Sequence, residues 1–400
     1  MALLNASGWI AALFVASSLF AHDVALRLVL LAGATLLCGV ALARAPKPLA
    51  ALPPIWRPWL VWATWAALSL AWSIEPARSL KEWTNEVLYA ALALLVCHIA
   101  GQAREAPRAF LSALALGAAL ACLSALWAFG SGVEVESALG WHGGPGDHSA
   151  ALLTLMPCAI ALLWYARQAQ WPRAASVAIA MFIALFVASA YATQNRTIWL
   201  AFALEVAGFA AMLAFRRSGE PRAQLLISLA ALAVVGASAT MTFRVQAERE
   251  ATGAHSMTAD PRLSIWPKAF EYVERRPLVG YGFGRGLLRE RLPDEANHGL
   301  AWHAHNLFID LALQTGLVGL LVFIALLAAT FGQGLRFAAD TSPATAACGM
   351  ALVGVLIGMV TRNMTDVLLV RQNALLFWSV TGVLLAWGVR WRAGNHGPAP

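Results

Sequence analysis

Long apolar runs are the feature that most constrains this chain. A bilayer core of about 30 Å is crossed by a helix of about 20 apolar residues. An outer-membrane barrel would instead show ten-residue segments of alternating polarity. The sequence therefore predicts an all-α, polytopic membrane protein with about twelve transmembrane helices. The runs lie at approximately 7–21, 24–43, 57–73, 85–101, 108–130, 149–167, 173–192, 197–215, 223–243, 305–330, 343–362 and 367–389.

The composition excludes the other classes of protein. Only 12% of the 400 residues are charged and 60% are hydrophobic, whereas a soluble domain carries roughly 25% charged residues. Disorder is excluded because too much apolar surface is available for burial. The five cysteines lie in or beside apolar runs, so they indicate neither a disulfide framework nor a metal site. The net charge of +7 is explained by topology and a basic surface, with membrane lipids rather than nucleic acid as the partner.

Lys and Arg in the short loops predict the orientation. These loops carry thirteen basic residues on one side and six on the other, and the richer side faces the cytoplasm. Both termini are then cytoplasmic. The chain 1–400 is expected to be one transmembrane domain whose long loop, 244–304, forms an outward subdomain. Seven of the nine histidines also face outward, so we expect the chemistry on that side.

The loop 244–304 contains two recognisable elements. Asp260 and Pro261 are a suitable N-cap and first residue for a helix, and Pro277 ends it. The apolar positions between them recur at helical spacing, which predicts an amphipathic helix on the membrane surface or capping the bundle. Four glycines alternate along 280–286, in a pattern that fits either an anion-binding turn or a plain tight turn.

Two further sites carry chemistry-bearing residues. Arg196 opens the eighth span, where its guanidinium either extends to the headgroups or joins the helix N-terminus in binding an anion. His303 and His305 precede the tenth span. Other metal ligands are not close in sequence, so we predict no metal there. Trp302, beside them, belongs either to the interfacial aromatic belt or to a sugar-stacking site.

Three short motifs resemble those of O-antigen ligases. The segment 305–319 reads His-Asn-x9-Gly-x2-Gly, which resembles the His-[Asn/Ser/Gln]-x9-Gly-x2-[Gly/Thr/Tyr] pattern of that family. Residues 196–200 resemble its Arg-x3-Leu motif. Arg262 and the segment 277–282 (Pro-Leu-Val-Gly-Tyr-Gly) are similar to the arginine and glycine turn of the wider ligase and polymerase superfamily. The motifs occur in order on one predicted side, and with the span pattern the resemblance covers nearly the whole chain.

The resemblance implies a GT-C-like membrane glycosyltransferase. Its donor would be an O-antigen glycan on undecaprenyl diphosphate, and its acceptor a sugar hydroxyl of lipid A–core. Transfer would occur at the periplasmic face of the bacterial inner membrane and complete lipopolysaccharide, with no metal or nucleotide cofactor.

Each candidate residue then receives an expected role. Arg196, and after it Arg262, would stabilise the leaving diphosphate, because guanidinium groups bind phosphate oxygens bidentately. His305 would deprotonate the acceptor hydroxyl in an inverting single displacement, with His303 as the alternative base. Asn306 would orient the imidazole or the substrate. The remaining substrate-binding candidates are Trp302, His303, Arg285, Arg362 and Arg371.

Three acidic residues receive other expectations. Asp366 is expected to line the same cavity as the arginines, and Asp310 to make a polar contact within the bundle. Glu205 is expected to hydrogen-bond a neighbouring helix from within its span.

Other functions remain open from sequence alone. The closest is an O-antigen polymerase, which uses the same donor, and a related transferase acting on protein is a second alternative. A flippase for lipid-linked sugars is less favoured because a transporter should bury charges near the midplane. In this sequence Glu205 is nearly alone there.

Overall fold

The computed structural model describes residues 2–44, 52–131, 144–217, 220–251, 262–286 and 303–394. Every regular element in these ranges is a helix, although a 3-10 turn extends the third and a π-helical turn interrupts the fourth. In chain order the helices are α1 (Ala2–Ser17), α2 (Val24–Ala43), α3 (Trp56–Leu68), α4 (Pro76–Ala100), α5 (Ala106–Gly130), α6 (Pro145–Gln168), α7 (Arg173–Ala192), α8 (Arg196–Arg216), α9 (Pro221–Ala251), α10 (Arg262–Arg275), α11 (Leu307–Ala338), α12 (Pro343–Asn363) and α13 (Arg371–Arg392).

Ten of these helices are long and apolar enough to cross a membrane. The exceptions in the described ranges are α1, α3 and α10. With 16 residues, α1 is about 24 Å long at 1.5 Å per residue, which is shorter than a bilayer core. Ten of the twelve predicted spans therefore coincide with membrane-length helices, and the chain is a multi-pass membrane protein. The total of twelve spans stays a prediction.

The helices differ sharply in how far they are buried. In α13, 83% of the apolar window is buried inside the protein, and in α12 the share is 72%. In α9 the corresponding share is 6%. Consequently α12 and α13 form the centre of the bundle, whereas α9 lies at its periphery and presents apolar side chains outward.

The helix α11 is broken at Gly316. This glycine has φ 70° and ψ 179°, a conformation that is open essentially only to glycine. A Cβ atom there would lie 2.1 Å from the carbonyl oxygen of Leu278, because the segment 277–284 packs into the break. A Cβ atom at Gly319, three residues later, would lie 2.1 Å from Thr315 Oγ1 of the same helix and 2.7 Å from Trp65 Nε1. Gly316 therefore allows the loop to approach the helix, and Gly319 leaves room for Thr315 and Trp65.

The loop supplies partners for the backbone groups that the break exposes. Leu317 N–H donates to the Pro277 carbonyl at 2.7 Å. The carbonyl groups on the other side of the break accept from Tyr281 N–H (2.9 Å), Gly282 N–H (2.9 Å) and Trp65 Nε1–H (3.0 Å). A broken helix is tolerated at membrane depth when such partners are present.

The helix α10 lies where the sequence predicts the amphipathic helix of the long loop. Trp266 donates its indole N–H to the Ala304 carbonyl at 2.8 Å, and Ala269 packs against Ala304 and Ile309. The helix therefore caps the start of α11. Asp260 and Pro261 lie outside the described residues, and α9 continues past the predicted boundary at 243 to Ala251.

The predicted site residues that are described lie at one end of the bundle. At the opposite end, Arg216 donates to the carbonyl groups of Ala338 and Asp340 at 2.7 and 2.6 Å. Since α12 begins just after Asp340 and α8 ends at Arg216, these two helices are antiparallel. Arg196, the first residue of α8, is therefore at the end where α12 terminates beside Arg362.

Candidate active site

A tight turn carries the two histidines into α11. Asn306 caps the helix, since its Oδ1 accepts hydrogen bonds from the N–H groups of Phe308 (2.9 Å) and Ile309 (3.2 Å). Its amide donates to the Met364 carbonyl at 3.0 Å, which ties the turn to the segment between α12 and α13. His305 has φ 47°, an unfavourable conformation for a residue with a side chain. Such strain persists only where the surroundings fix it.

One carboxylate lies between the two imidazoles. The Oδ1 atom of Asp366 is 3.3 Å from Nε2 of His303 and 3.5 Å from Nδ1 of His305. The two rings lie side by side, with centroids 4.1 Å apart and planes inclined by 40°. The structure therefore brings both predicted histidines to the same acidic partner.

A buried guanidinium faces the other oxygen of this carboxylate. Nη2 of Arg362 is 3.5 Å from Oδ2 of Asp366. Its Nε donates to Ser149 Oγ at 3.1 Å, and its Nη1 donates to Thr365 Oγ1 at 3.2 Å. A buried charge is tolerated when it is paired and hydrogen-bonded in this way. Ser149, at the start of α6, thus fixes Arg362 within the site.

These contacts determine the charge state of Asp366. Burial by itself would raise the pKa of the Asp366 carboxyl. The hydrogen bonds from His303 and His305 and the nearby charge of Arg362 outweigh burial, so the pKa is held well below its ordinary range. Asp366 is therefore ionised at neutral pH.

An ionised Asp366 also favours one tautomer of each histidine. A carboxylate only accepts hydrogen bonds, so Nδ1 of His305 carries the proton that faces it. The Nε2 atom of His305 then bears the lone pair in the neutral ring. This arrangement makes His305 a proton acceptor whose orientation is fixed by Asp366.

The same three side chains also have the donor set of a metal site. The candidate ligand atoms of His303, His305 and Asp366 all lie within 4.8 Å of one another. However, the Arg362 guanidinium is only 3.5 Å from the same carboxylate, and it would repel a cation bound there. The charges around the cluster therefore favour proton transfer and anion binding, and the absence of a metal cofactor stays a prediction.

The glycine run 280–286 forms a structural turn. All four glycines have positive φ, as tight turns of this kind require. Consecutive backbone N–H groups from Tyr281 to Gly284 have acceptors within the protein, so they are not available to cradle an anion. These acceptors are Leu313 O, Gln314 O, Ser69 Oγ and Gln314 Oε1.

Two further predicted arginines flank the cluster. Arg285 donates to the carbonyl of Val367, beside Asp366, at 3.3 Å. Arg285 and Arg371 both lie close enough to the carboxylates of Glu86 and Asp147 to interact with them electrostatically. Arg285 and Arg371 therefore share one polar region next to the histidines.

The remaining predicted site residues are Arg262, Arg196 and Trp302. Arg262, the first residue of α10, is near enough to Arg362 for their charges to repel. Arg196 donates to Gln246 of α9 at the same end of the bundle, and the prediction that it faces His305 stays a prediction. Trp302 lies outside the described residues.

Sequence reasoning gave two acidic residues too small a role. Asp366 was expected only to line the cavity, and Asp310 only to make a polar contact in the bundle. Asp366 joins both histidines to Arg362, and Asp310 accepts from the backbone N–H of Ala304 at 3.2 Å. The available signal was that each residue is an acid at or near an end of an apolar run that is predicted to face outward.

The hydrogen bond predicted for Glu205 is not formed within the described part of the chain. Glu205 is 1% exposed, and neither carboxylate oxygen has a hydrogen-bond partner there. Its side chain packs against Gly358 of α12, where a Cβ atom would lie 1.8 Å from Oε1. Because residue 358 is a glycine, the space beside α12 is free for the Glu205 side chain.

Comparison with known families covers the middle of the chain. A family model described as O-antigen ligase matches residues 181–324. This segment runs from α7 into α11 and includes Arg196, Arg262, the glycine turn and the histidine turn. Arg362, Asp366 and Arg371 lie outside it. No curated protein matches the chain. The match over this segment supports membership of the O-antigen ligase and polymerase superfamily.

Proposed function

We propose that this protein is an O-antigen ligase that transfers a glycan from undecaprenyl diphosphate to a sugar hydroxyl of lipid A–core. The observation that carries the proposal is the Asp366 carboxylate, which faces His303 and His305 through one oxygen and Arg362 through the other. This cluster supplies an oriented base beside fixed positive charge. Displacement of a diphosphate by a hydroxyl requires both.

His305 is the proposed base. Its Nε2 takes the proton of the acceptor hydroxyl as that oxygen forms a bond to the anomeric carbon. The bond from this carbon to the diphosphate oxygen breaks with its electron pair, so the configuration inverts and undecaprenyl diphosphate leaves. Asp366 stabilises the imidazolium that results, as a carboxylate does beside a catalytic histidine.

The arginines are the proposed diphosphate clamp. Arg196 and Arg262 are the first candidates, joined by Arg285, Arg362 and Arg371. A guanidinium remains protonated and matches phosphate oxygens with two parallel donors. By analogy with lost oxyanion donors, removal of one such partner would cost about 2–4 kcal/mol in the transition state.

An apolar groove supports a lipid-linked donor. It lies between α5, α6 and α7, has a volume of about 290 Å³ and is lined almost entirely by apolar side chains such as Leu114, Leu155 and Phe186. Phe186 is one helical turn from Ser189, which contacts His148 beside Ser149. A polyprenyl tail in this groove would leave its diphosphate near Arg362.

The membrane arrangement belongs to the same proposal. The site faces the periplasm and both termini are cytoplasmic, in a GT-C-like protein of the bacterial inner membrane with about twelve spans. The thirteen-to-six distribution of basic residues in the short loops supports this orientation.

The alternative within the superfamily is an O-antigen polymerase. The His-Asn-x9-Gly-x2-Gly pattern favours the ligase. Gene deletion separates the two, because loss of a polymerase leaves core bearing one repeat unit. Loss of the ligase leaves bare core and accumulated donor.

Replacing His305 with Ala is expected to lower glycan transfer by about 100-fold or more, the range of a lost general base. The assay uses purified protein in detergent with lipid-linked donor and lipid A–core. His303→Ala is expected to retain more activity, and His22→Ala, which alters an exposed histidine between α1 and α2, serves as the matched control. Loss of transfer in His303→Ala but not in His305→Ala would assign the base to His303.

The pH dependence of stability tests the charge state of Asp366. Its pKa is depressed in the folded protein, so its stabilising effect is complete above the unfolded-state pKa of about 3.9. Asp366→Asn should lower the free energy of unfolding by about 1.5–3 kcal/mol. The gap in thermal midpoint from wild type should not narrow between pH 8 and pH 5 and should narrow only below about pH 4. A gap that closes near pH 6 would contradict the assignment.

Groove-filling variants test the proposed lipid site. Ala178 lines the groove, whereas Ala180, on the same helix, does not; both are exposed. Ala178→Trp should raise KM for a long-chain donor roughly tenfold, equivalent to about 1.4 kcal/mol of lost binding, and leave KM for a short-chain donor unchanged. Ala180→Trp should change neither value. Equal effects of the two variants would exclude this groove as the tail site.

A further inference from the structure

Asp310 lies directly beneath the histidine turn. It is in the first turn of α11 and is 3% exposed. Its Oδ1 accepts a hydrogen bond from the backbone N–H of Ala304 at 3.2 Å, and its Oδ2 accepts from Nε2–H of Gln314 at 3.0 Å. Ala304 is the residue between the two histidines, so this carboxylate holds the backbone on which both are mounted.

Gln314 continues the connection to the glycine turn. Its amide is also buried, and its Oε1 accepts from the N–H of Gly284 at 2.9 Å. Gly284 precedes Arg285, whose guanidinium reaches the carbonyl of Val367. A chain of three hydrogen bonds therefore joins the histidine turn to the backbone that carries Arg285.

Helix capping does not account for this chain of bonds. Asn306 already caps α11 through the N–H groups of Phe308 and Ile309. Asp310 instead bonds the residue immediately before His305, whose backbone has positive φ. A strained residue needs restraint on both sides to keep its conformation. Asn306 provides this restraint after His305, and Asp310 provides it before.

The two side chains are also complementary in their hydrogen-bonding groups. A carboxylate offers only acceptors, whereas a glutamine amide offers both a donor and an acceptor. One carboxylate paired with one amide satisfies both outer backbone N–H groups and the central bond at once. Because both side chains are buried, a mismatch would leave a polar group without a partner, which is costly.

We propose that Asp310 and Gln314 are positioning residues that hold the histidine turn and the Arg285 turn at a fixed separation. The inference deepens the proposed function and rests on it for its catalytic consequence. Asp310 and Gln314 touch no reacting atom. They set where the base lies relative to the arginine that faces the diphosphate.

A swap of the two functional groups tests this directly. In Asp310→Asn, the Nδ2 group of the new amide faces either the N–H of Ala304 or the Nε2–H of Gln314, so that two donors face each other. In Gln314→Glu, two carboxylates face each other. The double variant Asp310→Asn/Gln314→Glu restores all three hydrogen bonds with the central one reversed. It also retains one carboxylate in the pair.

In the transfer assay each single variant should lose roughly 10-fold to 100-fold in kcat, as misplaced groups do, with KM for the donor nearly unchanged. The double variant should recover to within about threefold of wild type, because residues in direct contact are energetically coupled and the second change restores the bonds lost in the first. Thr330→Val removes another buried hydrogen bond of α11 and should leave kcat unchanged. Wild-type kcat in folded single variants, or no recovery in the double variant, would overturn the inference.

A second readout does not depend on glycan transfer. Backbone hydrogen exchange should accelerate at both turns in either single variant, so that Gln314→Glu loosens the peptide containing Ala304 and Asp310→Asn loosens the peptide containing Gly284. The double variant should restore protection at both. Exchange that rises only beside the altered residue would contradict the coupling. If wild type transfers no glycan but this reciprocal pattern appears, the proposed function fails and the positioning chain stands.

Discussion

The site depends on one carboxylate held between two imidazoles and a buried guanidinium. Asp366 lies outside the membrane-length helices but packs against their ends, where the electrostatic attraction to Arg362 is stronger than in water. Arg362 itself is 3% exposed and would be costly to bury without Ser149, Thr365 and Asp366 as partners. The charges of the cluster therefore maintain one another. This mutual dependence gives His305 a defined orientation before any substrate arrives.

A second constraint is the break in α11. A continuous helix would leave no carbonyl groups for the glycine turn to bond. Gly316 opens the helix, and the segment 277–284 enters with its own N–H groups as partners. The break and the turn thus place Arg285 beside the segment that carries Asp366. Gly316 of the 305–319 motif serves this architecture, while the first two residues of the motif serve the proposed chemistry and the cap of α11.

Much of the fold could be predicted from the sequence, because apolar length and proline positions act locally. The spans that became α2, α7 and α12 and the amphipathic helix α10 all have strong local signals. The start of α4 at Pro76 was missed because charged residues such as Lys81 and Glu82 interrupt its hydropathy. The break at Gly316 was missed because it depends on a loop from elsewhere in the chain. Glu205 is buried without a hydrogen-bond partner in the described part of the chain, and this burial depends in the same way on Gly358 of another helix.

The sequence predicts most of the residues that form the candidate site, but it does not predict how these residues contact one another. The residues His303, His305, Arg285, Arg362 and Arg371 share one end of the bundle. The positions of all but Arg285 at or beside the ends of apolar runs indicate this, and Arg285 lies in the long loop. The sequence could not show that Asp366 faces both histidines, because that contact joins two distant turns. The glycine run illustrates the same limit, since its spacing fits an anion site and a structural turn equally well. Only the positions of its acceptors distinguish them.

The most direct test of the central claim is glycan transfer by the purified protein in detergent with EDTA present and no nucleotide. Lipid-linked donor and lipid A–core are supplied, and the ligated glycolipid is measured. The account predicts full transfer under these conditions, because the cluster of His303, His305 and Asp366 works as an oriented base beside fixed positive charge. Transfer that stops in EDTA and returns with a divalent cation would assign these three side chains to a metal and contradict the account.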